Sequence, residues 1–562
     1  MAAQPRSLRQ AGDVTGSVGT GACVIWHRYG VGVALVIAGM LCLLSLSHGS
    51  LLLVDAPYDI YIPLNAGLRW VQGALPSRDY PSPIGLLYAA MHGLVLSFDS
   101  TDARSIVRAD VAVLALSYLL LWPNMRGLAA STRGTILILL AAMMMTPLAL
   151  DASWGSYRYV ADYNRWAWAF YATVLVWTCN PAGRSRLAEL ALSIALCCLL
   201  YLKLTVFAGA VLTLAAGWFN DRRITHYIMP CVVLVLAIGA GVAGGVLIPY
   251  LRDNLAVGAA TGSVRLGKLI VQSAAPYNVL PLLLAIAVCF VRDVPRYFRF
   301  LPLYCILIQH AVGLQNFDVM VPLSGLPLLL LKPKLVWPNA KVLRPVLFGA
   351  PAICQAIYLL AVSGVALAWQ PYAAQLANAQ SISGTGTLGE RILTSTLPGA
   401  GAGIHHGDLA FADDVIVHDM RRAQDLLGGL PDGTRVATLE VSNIVAAAWP
   451  RLRPSTEGLL WYDDGRSFSE MFHPSPDQAF ADADVILVPL RFTTASTQKL
   501  AGLYRPWLDK CATVIAANEL WALYRRQNAS TGGHGTPVST PPTGQSSQSP
   551  ESDPLCTVLA RP

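Results

Sequence analysis

The sequence predicts a polytopic α-helical membrane protein of about eleven spanning helices, followed by a small α/β extracytoplasmic domain. Three observations predict it. The 562 residues are 54% hydrophobic and only 13% charged, with a mean hydropathy of +0.49, whereas a soluble domain carries roughly 25% charged residues. Long apolar runs alternate with short basic loops up to about residue 370. Beyond about residue 413 the pattern changes to short β-branched runs between turn residues. A single oversized core does not account for the missing charge, because cores stop growing near roughly 250–300 residues. A bilayer does, since lipid-facing side chains need no polar surface. The net charge of +7 raises the possibility of nucleic acid as a partner, but the Lys and Arg sit in clusters between apolar runs, the distribution of a topology signal.

Residues 1–28 are polar, basic and Gly/Ser-rich, and the run that follows lacks a small-residue cleavage site. They read as a cytoplasmic tail before an uncleaved helix. Spans are expected near 30–53, 107–122, 134–150, 166–179, 187–201, 204–219, 227–249, 278–291, 300–314, 318–331 and 345–368. Arg126/Arg133, Arg184/Arg186, Arg222/Arg223, Arg292/Arg296/Arg299 and Lys332/Lys334/Lys341/Arg344 all fall on the side of the N-terminus if the apolar stretch 84–98 does not cross. The positive-inside bias therefore makes 84–98 a helix that lies on the outer surface or dips in. Segments 54–106, 151–165, the tight turn at Lys203, 250–277 and everything after about 370 are then outside. The expected location is a bacterial inner (plasma) membrane, with the N-terminus cytoplasmic and the C-terminal domain periplasmic.

The domain reading is 1–369 for the membrane part, with surface helices near 56–98, 370–412 for a Gly/Ser/Thr-rich linker, 413–527 for the α/β domain, and 528–562 for a Ser/Thr/Pro/Gly/Gln-rich disordered tail. RVATLEV, ADVILVPL, ATVIAA and LWALYRR read as strands. Of 11 cysteines, all but Cys511 and Cys556 precede residue 370. Their spacing gives neither a disulfide framework nor a CxxC metal site.

The first outer loop carries the most informative residues. Asp55, Asp59 and Asp79 lie beside a membrane face, where an ionised carboxylate can accept the proton of an attacking hydroxyl. The plain alternative is that they cap helices and mark turns. The second loop, SYRYVADYNRWAWA, sets Arg158, Asp162, Tyr163, Asn164, Arg165 and two Trp at the boundary. Arg offers phosphate a planar fork of donors, or it snorkels in an aromatic belt. Lys203 interrupts a long apolar run. Intramembrane charge is costly and marks a functional site, unless Lys203 snorkels from a hairpin. His310, Gln315, Asn316 and Asp318 either line a sugar pocket or satisfy one another between helices. His405, His406, Asp408, Asp413, Asp414 and His418 fit no standard metal-ligand spacing, and no cofactor is expected. The α/β domain has no Gly-rich phosphate loop after a strand.

One resemblance rests on Asp59, Gly73, Pro76, Asp79, Pro81 and Pro83: a carboxylate after the first span, Gly fourteen residues on, the G-x-x-P-x-x-D string GALPSRD, then an apolar helix. This pattern resembles the GT-C superfamily of polyprenyl-phosphate-sugar-dependent glycosyltransferases, which includes aminoarabinose transferase and the protein O-mannosyltransferases. It covers the first 220 or so residues, and the rest by architecture alone. It implies a GT-C-like fold and an Asp or Glu in the first loop as catalytic base, with Asp59 the counterpart by spacing and Asp55 its rival. The acidic residue is not part of an adjacent Asp-Glu pair, as it often is in that superfamily. The resemblance also implies a basic residue at the leaving phosphate, the role it gives Lys203. Stabilising that developing charge is the chemistry a fixed cation supplies. The expected activity is inverting transfer of a sugar from a polyprenyl-phosphate donor to a hydroxyl of an envelope glycan, glycolipid or protein. The alternatives are a transporter or flippase of lipid-linked sugars, for which inverted repeats are missing, and a non-catalytic envelope assembly protein.

Overall fold

The computed structural model describes residues 21–47, 58–98, 105–146, 162–221, 224–260, 276–290, 296–316, 322–330, 343–376, 422–441, 451–456, 459–460, 462, 464, 467–491 and 495–527. The membrane part runs α1 (Gly21–Ser47), α2 (Tyr58–Val71), α3 (Leu86–Phe98), α4 (Ser105–Leu121), α5 (Ala130–Met145), α6 (Asp162–Cys179), α7 (Arg186–Leu200), α8 (Leu204–Asp221), α9 (Thr225–Ala243), α10 (Leu247–Ala260), α11 (Pro276–Cys289), α12 (Arg296–Asn316), α13 (Leu326–Leu330) and α14 (Leu343–Leu376).

Four of these are long and apolar enough to cross a membrane: Arg28–Ser47, Ser105–Met125, Thr225–Ala243 and Gly349–Ala368. Leu86–Phe98, Ala130–Met145, Leu204–Phe219 and Asn278–Cys289 are shorter apolar helices. The lipid reading is supported by what these helices expose. Leu35, Val36, Met40 and Leu43 on α1, and Val232, Val235 and Leu236 on α9, face outward. Such stripes are unfavourable in water and natural against acyl chains. At the centre, every residue of α6 except Tyr163 is buried, so α6 is enclosed by protein and tolerates the polar start DYNR.

Two expectations change. Residues 250–260, read as part of an outer loop, belong to α10 together with residues 247–249 at the end of the expected span over 227–249. The span expected over 318–331 holds only the 5-residue α13 among the described residues, because the chain turns over 322–325 and Gly325 packs against the Ala352 backbone of α14. Helix α3, expected to lie on the outer surface or dip in, buries Tyr88, Ala89, His92, Gly93 and Leu96 against the rest of the chain.

The C-terminal unit is a mixed sheet of β1 (Arg435–Thr438), β2 (Arg453–Pro454), β3 (Val485–Pro489), β4 (Ala512–Ala517) and β5 (Trp521–Arg526), with α15 (Pro476–Ala479) and α16 (Ala495–Cys511). The strand order is β2-β1-β3-β5-β4. β1 pairs parallel with β2 and β3, and β5 pairs antiparallel with β3 and β4. Period-2 alternation sends Ala437, Ile486, Val488 and Tyr524 into one core and Val436, Val485, Leu487 and Leu523 into another. The inner strands β1 and β3 are thus buried on both faces, as parallel strands require, while the antiparallel edge strand β4 is largely exposed. Cys511 is disulfide-bonded, a single bond that the reading of no disulfide framework did not place.

The two units touch. The Leu460 N–H donates to the Pro81 carbonyl at 3.3 Å, and the Asn65 amide on α2 reaches the Leu460 carbonyl at 3.5 Å. The loop between α2 and α3 is therefore the surface on which the α/β unit sits.

Candidate active site

Two glycines set the geometry of the site. Gly73, with φ +84°, ends α2 in the left-handed region, which Gly enters without steric cost. Gly85 starts α3 where a Cβ would lie 2.1 Å from the Tyr201 carbonyl oxygen. That approach lets the Gly85 N–H donate to Leu202 O at 3.1 Å and the Leu87 N–H donate to Tyr201 O at 2.8 Å. Helix α3 is thereby fastened to the turn between α7 and α8, next to Lys203. Helix α2 lies along α3: Gly67 is tight against His92, and Gly93 against Trp70.

Of the expected substrate- and phosphate-binding residues Lys203, Arg158, Arg165, Tyr163, Asn164, His310 and Asn316, Lys203 meets Tyr163 and Asn164 at the start of α6, where Arg165 follows. The Lys203 ammonium sits 4.4 Å from the centre of the Tyr163 ring and donates to the Asn164 side-chain oxygen. A cation over an aromatic face contributes about 0.5–2 kcal/mol depending on desolvation. Arg165, 1% exposed, donates through Nη1 to the Thr146 carbonyl, and its Nε is buried without a partner.

Beside them lies a buried acid–base group that the sequence reading passed over as a site. His92 Nε2 is 3.0 Å from Asp162 Oδ2, with side-chain exposures of 1% and 0%. Asp162 Oδ1 also accepts from the Tyr163 N–H at 2.7 Å. An ionised Asp162 requires the hydrogen on Nε2, which leaves His92 Nδ1 buried and unpartnered. Trp166 stacks on His92 at 5.0 Å and donates through Nε1 to Asp110 Oδ1 at 2.6 Å. Tyr88 packs edge-on to His92 and Tyr163. The signal was available: His92 and Asp110 are ionisable residues inside apolar runs, which are functional candidates by default.

Asp79 and His310 lie elsewhere. Asp79 holds a turn. Oδ2 accepts from the Leu75 N–H at 2.7 Å, and Arg78 pairs with the carboxylate at 2.9 Å. Partial burial pushes its pKa up, but the Arg78 and Leu75 hydrogen bonds outweigh this and hold it below the ordinary carboxylate range. His310 is buried in α12 with Nδ1 on the Ile306 carbonyl at 2.7 Å. Asp55 and Arg158 lie outside the described residues. Asp59 and Asn316 lie in α2 and α12, with side chains outside the description. Along α2, Asp59 is about 12 Å from Gly67 by helix rise. His405, His406, Asp408, Asp413, Asp414 and His418 are also outside the described residues.

What the arrangement supplies chemically is a Lys203 cation on Tyr163 and Asn164, with the buried Arg165 and His92–Asp162 pair in the same stretch of α6. A fixed cation is the kind of group that can hold an anion.

No protein-family model matches the chain, and no curated protein matches it. Among solved structures the chain is similar to ArnT from Cupriavidus metallidurans in the apo state, at 12% identity over 90% of this chain and 98% of that chain, with a TM-score of 0.37.

Proposed function

We propose that the chain is a membrane glycosyltransferase that moves a sugar from a polyprenyl-phosphate donor to a hydroxyl of an envelope glycan, glycolipid or protein. One observation carries this reading: Lys203, just before α8, meets Tyr163 and Asn164 at the start of α6, one residue before Arg165. A lipid-linked phosphate reaches such a place from the membrane without a nucleotide site. Asp59 or Asp55 accepts the proton of the acceptor hydroxyl, whose oxygen attacks the anomeric carbon from the face opposite the phosphate. The configuration inverts, and the polyprenyl phosphate leaves with its charge balanced by Lys203 and Arg165. His92 and Asp162 hold α3 against α6, which fixes the floor of the site. The disulfide at Cys511 supports an extracytoplasmic α/β unit, because disulfides persist in oxidising compartments.

The test is transfer from a synthetic polyprenyl-phosphate sugar by the purified chain in detergent, with Asp55→Asn, Asp59→Asn and Lys203→Met. Loss of at least about 10²-fold in rate is expected for Lys203→Met and for one of the Asp variants, with folding retained. Full rates in all three variants, or no transfer by the unaltered chain with any lipid-linked pentose or hexose, would refute the proposal.

A further inference from the structure

The far end of α6 carries a second cationic group. Trp177 lies 14 residues along the helix from Tyr163, about 21 Å by helix rise, so this end is remote from Lys203. Two loops meet there, 122–129 between α4 and α5 and 180–185 between α6 and α7. The Asn180 amide donates to both the Asn124 and the Arg126 carbonyls at 2.9 Å. A Cβ on Gly183 would lie 2.6 Å from the Asn124 oxygen and 3.0 Å from the Arg126 oxygen. The loops are therefore pressed backbone to backbone, and Arg126 and Arg184 leave the same junction.

Both arginines are placed for an outside anion. Arg126 is exposed. The Arg184 guanidinium carbon lies 4.2 Å from the centre of the Trp177 ring. Trp177 is itself buried and edge-on to Tyr227, so Arg184 rests on a fixed platform, which lowers the cost of ordering it around a ligand. Residues 122–133 and 180–189 hold Arg126, Arg133, Arg184 and Arg186 against one carboxylate, Glu189. That carboxylate is 2% exposed and already accepts from Arg186 and His226 at 2.8 Å each. The junction thus keeps a net positive charge. Directly after it, α7 turns an apolar row outward: Leu187, Leu190 and Ile194 are 64%, 43% and 38% exposed. Their spacing of three and four residues sets them on one helix face.

We infer that this junction is a binding site for an anionic phospholipid of the adjoining leaflet, with the headgroup phosphate on Arg126 and Arg184 and an acyl chain along Leu187, Leu190 and Ile194. Basic pockets between membrane helices hold anionic headgroups in this way, and Arg offers phosphate a fork of donors. An acidic peptide would satisfy the arginines and leave the apolar row in contact with its polar backbone. A zwitterionic lipid would bring a second cation to a junction that already has net positive charge. The site is independent of the transfer chemistry, since it lies at the other end of α6 and shares no residue with it.

The test is titration of the full chain in detergent with tail-labelled fluorescent phosphatidylglycerol, and with phosphatidylcholine carrying the same label. Saturable binding is expected for phosphatidylglycerol, with phosphatidylcholine much weaker. Arg126→Gln combined with Arg184→Gln should weaken it roughly 25-fold, from the usual contribution of two surface arginines to anionic lipid. Arg126→Gln alone, an exposed position at which folding is kept, should weaken it about fivefold. Arg505→Gln on the α/β unit, 54% exposed, is the charge control and should bind as the unaltered chain does. Inorganic phosphate should displace the lipid no better than chloride at equal ionic strength. Equal binding of the two lipids, unchanged affinity in Arg126→Gln, or an equal loss in Arg505→Gln overturns the inference. Selective displacement by inorganic phosphate also overturns it, by showing a site for the free ion.

Discussion

Replacing Gly85 by Ala should damage the protein more than any other single methyl group added in the described loops. The added Cβ would sit 2.1 Å from Tyr201 O, 2.4 Å from Tyr201 C and 2.9 Å from Leu202 N. All three are backbone atoms, so no side chain can rotate away. Restoring an ordinary contact moves α3 by about 1 Å and breaks the Gly85–Leu202 and Leu87–Tyr201 hydrogen bonds. Each contributes about 0.5–1.5 kcal/mol net, and each buried group left unpaired costs about 1–3 kcal/mol. The sum is a destabilisation of about 2–5 kcal/mol. The same shift carries Tyr88 and His92 away from Asp162, and a 1 Å misplacement can cost about 10²-fold in rate. Thermal unfolding and transfer rate in detergent report the two effects separately. Gly39→Ala is the control. It lies in α1 with nothing within 4 Å of its Cβ, and its stability should stay within about 1 kcal/mol of the unaltered chain. A Gly85→Ala chain as stable as the control would refute the contact and the placement of α3 built on it.

Asp253 in α10 accepts from the Ser82 N–H at 2.8 Å, and burial pushes its carboxyl up to about 6 against partial compensation by that bond. A raised folded pKa means that the native state holds more protons, so this group's contribution is most favourable at acid pH. It declines as pH rises and levels off above about 6, a total of roughly 2–3 kcal/mol. Asp253→Asn should flatten the melting temperature between pH 4.5 and 7.5, and an unchanged profile would contradict the assignment. The buried His92–Asp162 pair should show strong coupling. Asp162→Ala alone is expected to lose about 3–5 kcal/mol, and part of that loss should return in the double variant with His92→Leu. Strict additivity in thermal unfolding would show that the two do not interact. Cys511, 3% exposed and disulfide-bonded, should resist maleimide in denaturant until a reductant is added. Immediate labelling would show a free thiol.

The residues that meet around Lys203 in the candidate site were legible in the residue pattern. Lys203, Tyr163, Asn164 and Arg165 stood out because charge at a lipid boundary is costly and has few explanations. The GALPSRD turn stood out through its Gly and Pro, and Gly73 does take the left-handed backbone such a turn needs. The strands of the α/β unit were readable from β-branched runs between turn residues, and they fall at Arg435–Thr438, Val485–Pro489, Ala512–Ala517 and Trp521–Arg526. His92 and Asp110 were missed because apolar neighbours on each side made their helices read as plain lipid-spanning runs.

By itself the sequence determined that this is a membrane protein, where the chain passes from lipid-suited helices to a sheet, and which residues carry improbable charge. Those are local properties, set by composition and period over a few turns. Only the tertiary structure decided that Asp79 holds a turn, that Asp162 faces His92, and that α3 enters the bundle. Each depends on which surfaces meet across long chain separations, through contacts such as Gly85 against Tyr201 and Leu460 against Pro81. Neither helical nor strand periodicity encodes the partner of a face.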